Sequence, residues 1–213
     1  MREIYRKVIT SALILIIGLT SCKKESTPIQ QSTTLYLKSI TPKGTLAYTK
    51  YGQVTGQSFV DRSAEAVGLN VFYPPQLSKD YVTFRTDGRF QWGSDFFHYV
   101  KTDDRFVFSA YTEPVDSTNP AVVYAPFFKE PATSVLPNGN VYASRIVVAN
   151  GDMASLHISY MILGILHRDS VTNAIMRREQ TVVHNEFNPE GAKTLGKNDT
   201  LAVRAYTFDY EKK

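Results

Sequence analysis

The chain has 213 residues, and its 24 lysines and arginines against 20 acidic residues give a formal net charge of +4 at pH 7. The cations are scattered rather than clustered, which excludes a nucleic-acid-binding surface built on a basic patch. A single cysteine excludes a fold held together by disulfide bonds, so the folded part must be stabilised by its own hydrophobic core.

The first 22 residues are laid out like an export signal. Arg2, Arg6 and Lys7 precede an apolar stretch over residues 8–19, which has the length of a signal peptide and is too short to span a bilayer. The stretch ends in Leu19-Thr20-Ser21-Cys22, which contains the only cysteine of the chain. This leader resembles the bacterial lipoprotein signal, whose lipobox places a leucine three residues before an obligatory cysteine. An ordinary secretory signal with a chance cysteine is the alternative.

The resemblance implies that the chain is cleaved before Cys22 and lipidated on that residue, and two or three acyl chains hold a protein on a membrane almost permanently. We therefore expect a signal peptide over 1–21, a lipidated cysteine and flexible tether over 22–34, and a single β domain over 35–213. Loss of the leader lowers the net charge to +2. The expected location is the outer membrane. Residues 23–25 match the surface-export signal of Bacteroidota lipoproteins only in part, so the periplasmic and external faces both stay open.

The part from Leu35 onward has the composition and spacing of β-strands. The chain has 13 tyrosines and 12 phenylalanines, and turn residues recur at short intervals. No window shows a sustained helical period, and the segment around Ala64 predicts at most one or two helical turns. We therefore predict roughly nine or ten strands joined by short turns.

The clearest hairpin is "YVTFRTDGRFQW". A three-residue loop over 86–88 places Val82, Phe84, Phe90 and Trp92 on one face, whereas a two-residue loop would scramble this sorting. Further hairpins are predicted to turn at Asp103-Asp104, at Asn150-Gly151 and around 170–172, with a last strand over 200–211 and weaker strands near 35–37, 45–51 and 121–128.

Successive hairpins without intervening helices predict an all-β antiparallel meander, closed as a barrel or folded as a β-sandwich. The stretch "VTFRTDGRFQW" resembles a hairpin that is common in the small lipocalin-like domains of bacterial lipoproteins. This resemblance favours a lipocalin-like barrel, with the β-sandwich as the alternative.

The histidines do not predict a metal centre. His157 and His167 lie ten residues apart on one predicted strand, or roughly 33 Å, so they cannot share an ion. His157 and His184 would face each other only if the hairpin between them pivots at 170–171, and two histidines still fall short of the three or four protein ligands of a zinc site. His98 has no partner in sequence. We therefore expect neither a metal nor a cofactor.

Arg145 is an outlier on an otherwise apolar strand face. In the predicted hairpin it shares a face with Val147, Ile158 and Tyr160. If that face lines the barrel, Arg145 and Tyr160 are candidate ligand-binding residues, suited to an anionic head group in an apolar cavity. The alternatives are that this face points outward, or that an acidic residue pairs with Arg145.

Three short motifs resemble the O-glycosylation sequon of Bacteroidota envelope proteins, Asp followed by Ser or Thr and then an apolar residue or Thr. They make Ser117, Ser170 and Thr200 candidate sites of modification. Ser117 and Ser170 lie in predicted loops, where a bulky sugar is tolerated.

Three classes of function follow. The preferred one is a membrane-anchored, non-catalytic lipoprotein that binds a small lipid-like, other apolar or anionic ligand. The alternative is an interaction subunit of an envelope or surface complex, which docks a protein partner through strand edges and the loop containing Phe127 and Phe128. The third is a hydrolase. Its site is unidentified, because the chain has no GxSxG motif and the acidic pair Asp103-Asp104 is explained as a turn.

Overall fold

The computed structural model describes residues 31–69 and 81–213. The predictions for the leader, for Cys22 and for most of the tether lie outside these residues. The first strand begins at Thr33, two residues before the predicted start of the β domain.

The described residues form eleven strands in one antiparallel sheet, with two helices and two 3-10 turns between them. The strands are β1 (Thr33–Thr49), β2 (Gly52–Val54), β3 (Tyr81–Phe84), β4 (Arg89–Trp92), β5 (Asp95–Thr102), β6 (Arg105–Val115), β7 (Thr133–Val135), β8 (Val141–Gly151), β9 (Ser155–Arg168), β10 (Ile175–Val183) and β11 (Thr200–Glu211). The helical elements are α1 (Gln57–Ala66), α2 (Pro120–Val123), η1 (Ala125–Phe127) and η2 (Pro189–Thr194).

Eight of these strands close into a barrel in the order in which they occur in the chain. Strands β1, β3, β4, β5, β6, β8, β9 and β11 each pair with the next, and β11 returns to β1. The predicted antiparallel meander is confirmed, and it is closed as a barrel consistent with a lipocalin-like fold rather than folded as a sandwich. Strands β2, β7 and β10 pair with the ends of barrel strands and extend the sheet beyond it.

The β3–β4 hairpin has the predicted three-residue loop. Arg85 donates its backbone N–H to the carbonyl of Arg89, and Gly88 adopts a φ of +74°, a conformation that glycine tolerates without steric cost. The sorted face, from Val82 to Trp92, is buried in the barrel. The tight Asp103-Asp104 turn between β5 and β6, the turn within 169–174 and the last strand are also as predicted.

The turn predicted at Asn150-Gly151 is wrong. Both residues lie in β8 and pair with His157 and Leu156, so the chain turns over residues 152–154. The cause is Asp152, whose carboxylate accepts the backbone N–H groups of the two residues that begin the return. The observed pairing of β8 with β9 differs from the predicted pairing by an even number of residues, so the side chains of both strands stay on their predicted faces.

Two helical segments were also predicted wrongly. The stretch expected as a strand near 121–128 forms α2 and η1, because Asn119 caps the backbone N–H of Ala121 and a proline lies at the first or second position of each short helix. The segment around Ala64 forms the ten-residue helix α1, which is nearly three turns long. Val60 and Ala64 lie four residues apart on its buried face, which is the spacing of apolar residues on one side of a helix.

Aromatic rings fill the interior of the barrel. Phe84, Phe90, Phe106 and Phe108 are fully buried, and the Phe90 and Phe108 rings stack with their centroids 3.9 Å apart. They belong to a single cluster of buried residues, the barrel core, which also contains Trp92 and side chains from all eight barrel strands. The barrel is therefore a packed core.

Strand β9 continues past the barrel and is buried on both faces. One face packs against α1, where Gly164 lies beneath Val67. The other face packs against the second core, which joins the strand ends to the segments around η1 and η2. The second core consists of Tyr48, Tyr124, Phe127, Phe128, Ala132, Met161, Leu163, Ile165, Ala192, Leu195, Leu201 and Val203.

A carboxylate on the outer surface ties three strands together. Asp209 on β11 accepts hydrogen bonds from the hydroxyls of Ser39 and Thr41 on β1 at 2.6 and 3.0 Å, and it lies 2.8 Å from Nδ1 of His157 on β9. Partial burial acts to raise the pKa of Asp209, but the hydrogen bonds from Ser39, His157 and Thr41 outweigh it and lower the pKa below its ordinary value.

Substitution of Gly164 by alanine is expected to destabilise the fold. The added Cβ would lie 2.6 Å from two carbon atoms of Val67, so β9 and α1 must separate, at a cost of about 1–3 kcal/mol. The free energy of unfolding in guanidinium chloride measures this. Gly56→Ala is the matched control, because Gly56 has an ordinary φ of −73° and open space around it. Equal stability of the two variants would contradict the close packing at Gly164.

Asp209→Asn is expected to lower stability at about pH 7 by about 1 kcal/mol, because the charged acceptor of three hydrogen bonds is lost. A carboxylate whose pKa is lowered by folding contributes stability above its unfolded pKa of about 4 and loses it as the pH falls through the folded pKa. The difference in the free energy of unfolding between Asp209→Asn and the wild type is therefore expected to shrink as the pH falls from about 4 through the pKa of Asp209 in the folded protein. Denaturation curves across this range test it, with Asp103→Asn at an exposed turn as the control, and a pH-independent difference would refute it.

Candidate functional site

Arg145 lies at the rim of the barrel rather than within it. Its Nη1 donates to a carboxylate oxygen of Asp95 at 2.8 Å, and its guanidinium stands 5.8 Å from the centre of the Phe97 ring. Half of its side chain is exposed. Val147 and Ala149 on the same face of β8 point into the barrel. Arg145, two residues before Val147, is the point at which this face reaches the solvent.

Tyr160 is buried inside the barrel, 3% exposed, with its ring 5.0 Å from that of Phe208 and 5.2 Å from that of His184. Burial, together with the neighbouring Tyr206, raises the pKa of Tyr160 to about 12. Tyr160 lines none of the clefts described below, two of which Arg145 borders. The two residues therefore do not share a site, and a ligand role for Arg145 stays a prediction.

The four histidines are dispersed. His157 pairs with Asp209, and His98 is exposed on β5. His167 places Nδ1 2.9 Å from Asp199. His184 packs its ring 4.5 Å from the ring of Trp92, where the chain inserts between β8 and β9. Within residues 31–69 and 81–213, no group of three metal-ligating side chains is placed to hold an ion.

The candidate glycosylation sites differ in exposure. Ser117 and Ser170 are exposed in turns that follow β6 and β9. Thr200 is only 4% exposed at the start of β11, so a sugar there would require the strand end to open. Modification of any of the three stays a prediction.

Four of the clefts on the described part of the protein have volumes from about 310 to 850 Å³. None of them is lined by a residue of the barrel core. The largest of these four, at about 850 Å³, is an open groove beside α1. Its volume lies within the range of small-molecule sites.

This α1 groove is built by four separate parts of the chain. Helix α1 forms one wall, and the other sides come from the end of β1, from the β9–β10 hairpin and from the turn that leads into β11. The lining residues are Thr49, Tyr51, Phe59, Arg62, Ser63, Glu65, Ala66, Arg168, Asn173, Arg178, Lys197, Asn198, Asp199 and Thr200.

Asp199 fixes the floor of the groove. Its carboxylate accepts the backbone N–H groups of Gly196 and Arg168, each at 3.3 Å, and contacts His167. The second nitrogen of His167 lies 3.8 Å from Glu179 on β10. One histidine between two carboxylates thus joins the turn before β11 to the β9–β10 hairpin, which connects two sides of the groove.

Sequence reasoning did not find this groove. The charged side chains that border it are separated by as many as 137 positions, from Arg62 to Asp199, and each taken alone is typical of a solvated surface residue. The one available signal was the run Arg177-Arg178, because adjacent strand residues point to opposite faces and one of the two must face α1. The loop residues Phe127 and Phe128, expected to contact a partner, are instead buried in the second core.

Among the described residues, no helix is long and apolar enough to cross a membrane. Comparison of the chain with protein-family models, with curated proteins and with solved structures finds no match in any of the three. The functional interpretation therefore rests on the eight-stranded barrel, its buried aromatic clusters and the groove beside α1.

Proposed function

We propose that the protein is an envelope lipoprotein, anchored to the outer membrane through Cys22, whose β domain binds a small ligand without catalysis. The observation that carries this proposal is the α1 groove, an open cleft of about 850 Å³ with a rigid floor. The lipobox supports the anchor, and the periplasmic and external faces are equally compatible with it.

The position of the groove suits an anchored binding protein. Strand β1 enters from the tether at Thr33, where the chain lies beside the end of β11, and it reaches the groove at Thr49. Its 17 residues trace a path of roughly 50 Å at the usual strand rise. The groove therefore opens at the end of the domain opposite the tether, where a ligand has access to it from outside the bilayer.

The groove is a better ligand site than the barrel interior. A lipid-like or other apolar ligand in the interior would have to displace fully buried rings such as Phe84 and Phe108. Such displacement costs several kcal/mol for each large side chain that is moved. Phe59 and Ala66 provide an apolar strip in the groove instead, at no cost in core packing.

A non-catalytic role is favoured by the state of the one carboxylate in the groove floor. Asp199 already accepts two backbone N–H groups and contacts His167, which is the arrangement of a structural support. A general base needs a free lone pair directed at a substrate, and contacts within the protein occupy three of the about four lone-pair sites of Asp199.

Native mass spectrometry of the full-length protein, purified in detergent from its own membranes, is expected to show a bound mass that disappears on denaturation. The same spectrum reports acylation at Cys22. Glu65→Trp is expected to abolish the bound mass, because Glu65 is exposed on α1 and its replacement fills the groove. Asp61→Trp, also exposed on α1 but outside the groove, is the matched control. A mass that survives Glu65→Trp would place the ligand elsewhere, and no mass in any sample would argue against a binding role.

A second candidate function is that of an interaction subunit, and strand β10 favours it. No other described strand pairs with the outer edge of β10. The hairpin that carries it exposes Val171 (89%) and Met176 (68%) to solvent. Such an edge accepts an added strand from an envelope protein partner.

Photo-crosslinking tests this second candidate. A photoreactive residue at Met176 in the full-length protein is expected to form one discrete adduct in intact membranes, mapped to a single extended segment of the partner. The same residue at Val100, which is 64% exposed on β5, is the control. No adduct at Met176, or equal adducts at both positions, would refute docking on β10.

A further inference from the structure

The charges along the α1 groove are unbalanced. Four cations border it, contributed by α1, by the end of β9, by β10 and by the turn before β11: Arg62, Arg168, Arg178 and Lys197. Two carboxylates border it as well, those of Glu65 and Asp199. On a chain whose cations are otherwise scattered, this convergence from distant positions is a local feature of the fold.

We propose that the α1 groove takes a polyanionic ligand, a polar molecule with two or more carboxylate or phosphate groups. This inference rests on the proposed function, because it assigns a ligand class to the same groove. Arginine suits such a ligand, since its planar guanidinium matches the geometry of carboxylate and phosphate oxygens.

The cations are available to a ligand. Arg62, Arg178 and Lys197 are exposed, and they form no salt bridge with a carboxylate of the described ranges. Arg168 donates Nη1 to the backbone carbonyl of Asn173 and keeps its remaining donors. Of the two carboxylates, Asp199 already contacts His167 and accepts backbone N–H groups, so it offsets the cations less than its charge suggests.

The size and polarity of the groove point to more than a single inorganic ion. A volume of about 850 Å³ corresponds to more than twenty water molecules at about 30 Å³ each. Between the cations lie the polar side chains of Thr49, Asn173 and Asn198, which hydrogen-bond uncharged parts of a ligand. Tyr51, 76% exposed at the edge, adds an aromatic face for a ring or an alkyl segment.

The strand β10 provides a matched pair of arginines. Arg178 pairs across the sheet with Leu166 on the face that packs against α1, and it borders the groove. Arg177 is its neighbour on the opposite face, where it forms a 2.7 Å salt bridge with Glu179. The two residues carry the same charge on the same strand, and they differ in the face that they occupy and in the salt bridge of Arg177.

Isothermal titration of the full-length protein in detergent tests the ligand class with three probes. Trigalacturonate carries carboxylates, inositol hexakisphosphate carries phosphates, and maltotriose is a neutral sugar of similar size to the first. Binding of either anionic probe, weakened by added salt, is expected, together with no binding of maltotriose. Arg178→Gln and Arg62→Gln are each expected to weaken binding of the anionic probe about tenfold, whereas Arg177→Gln leaves it unchanged.

Equal losses for Arg177→Gln and Arg178→Gln would overturn the proposal, because they would show attraction to surface charge in general. Binding of maltotriose as tight as that of trigalacturonate would also overturn it. If native mass spectrometry finds a neutral ligand that Glu65→Trp removes, the polyanion assignment fails while the proposed binding function stands. If neither anionic probe binds and no mass is retained, both fail.

Discussion

Strand β9 buries both of its faces over its second half, which lies between helix α1 and the second core, whereas its first half closes the barrel against β8 and β11. A strand with two buried faces needs an almost continuous apolar sequence, and the run from Tyr160 to Leu166 provides it. Gly164 is the one break in that run, and it permits the close approach of Val67. The extended sheet, and with it the α1 groove, exists because β9 is longer than the barrel that it closes.

The aromatic interior determines where function can reside. Barrels of eight strands are just wide enough for side chains to fill, and here the phenylalanines of β3, β4, β5 and β6 do so. Their contacts stabilise the fold at the expense of an internal cavity. The proposed ligand site accordingly lies on elements that the barrel does not require, which are α1, the β9–β10 hairpin and the turn before β11.

The sequence predicts the local parts of this fold well. Hairpin loops set register, and in β3–β4 the alternation of Val82, Phe84, Phe90 and Trp92 is incompatible with the alternative two-residue loop. The prediction fails where a side chain competes with the favoured turn signal, as the carboxylate of Asp152 does next to Asn150-Gly151. It also fails for short helices, which leave too few residues for a periodic pattern to be recognised.

The candidate site could not be predicted from the sequence, because its residues are brought together only by the tertiary fold. Arg62, Arg168 and Lys197 become neighbours of one groove only after the sheet has closed and α1 has packed on it. No local pattern encodes that convergence. Arg145 illustrates the converse case, since the sequence left open whether its strand face points inward and whether an acidic residue pairs with it, and in the structure Asp95 pairs with it at the rim.

The wall of the barrel is uneven in its hydrogen bonding. Strands β8 and β9 share only three residue pairs, 149–151 with 158–156, before they diverge, and His184 enters between them through a backbone hydrogen bond to Val148. By contrast, β9 and β11 pair along twelve residues. Fewer hydrogen bonds must break between β8 and β9 than between β9 and β11, so of the two contacts that β9 makes in the barrel wall, the one with β8 is expected to open more readily. The ring of His184 packs against the rings of Trp92 and Tyr160, so side-chain packing stabilises this part of the wall, where backbone hydrogen bonds between β8 and β9 are few.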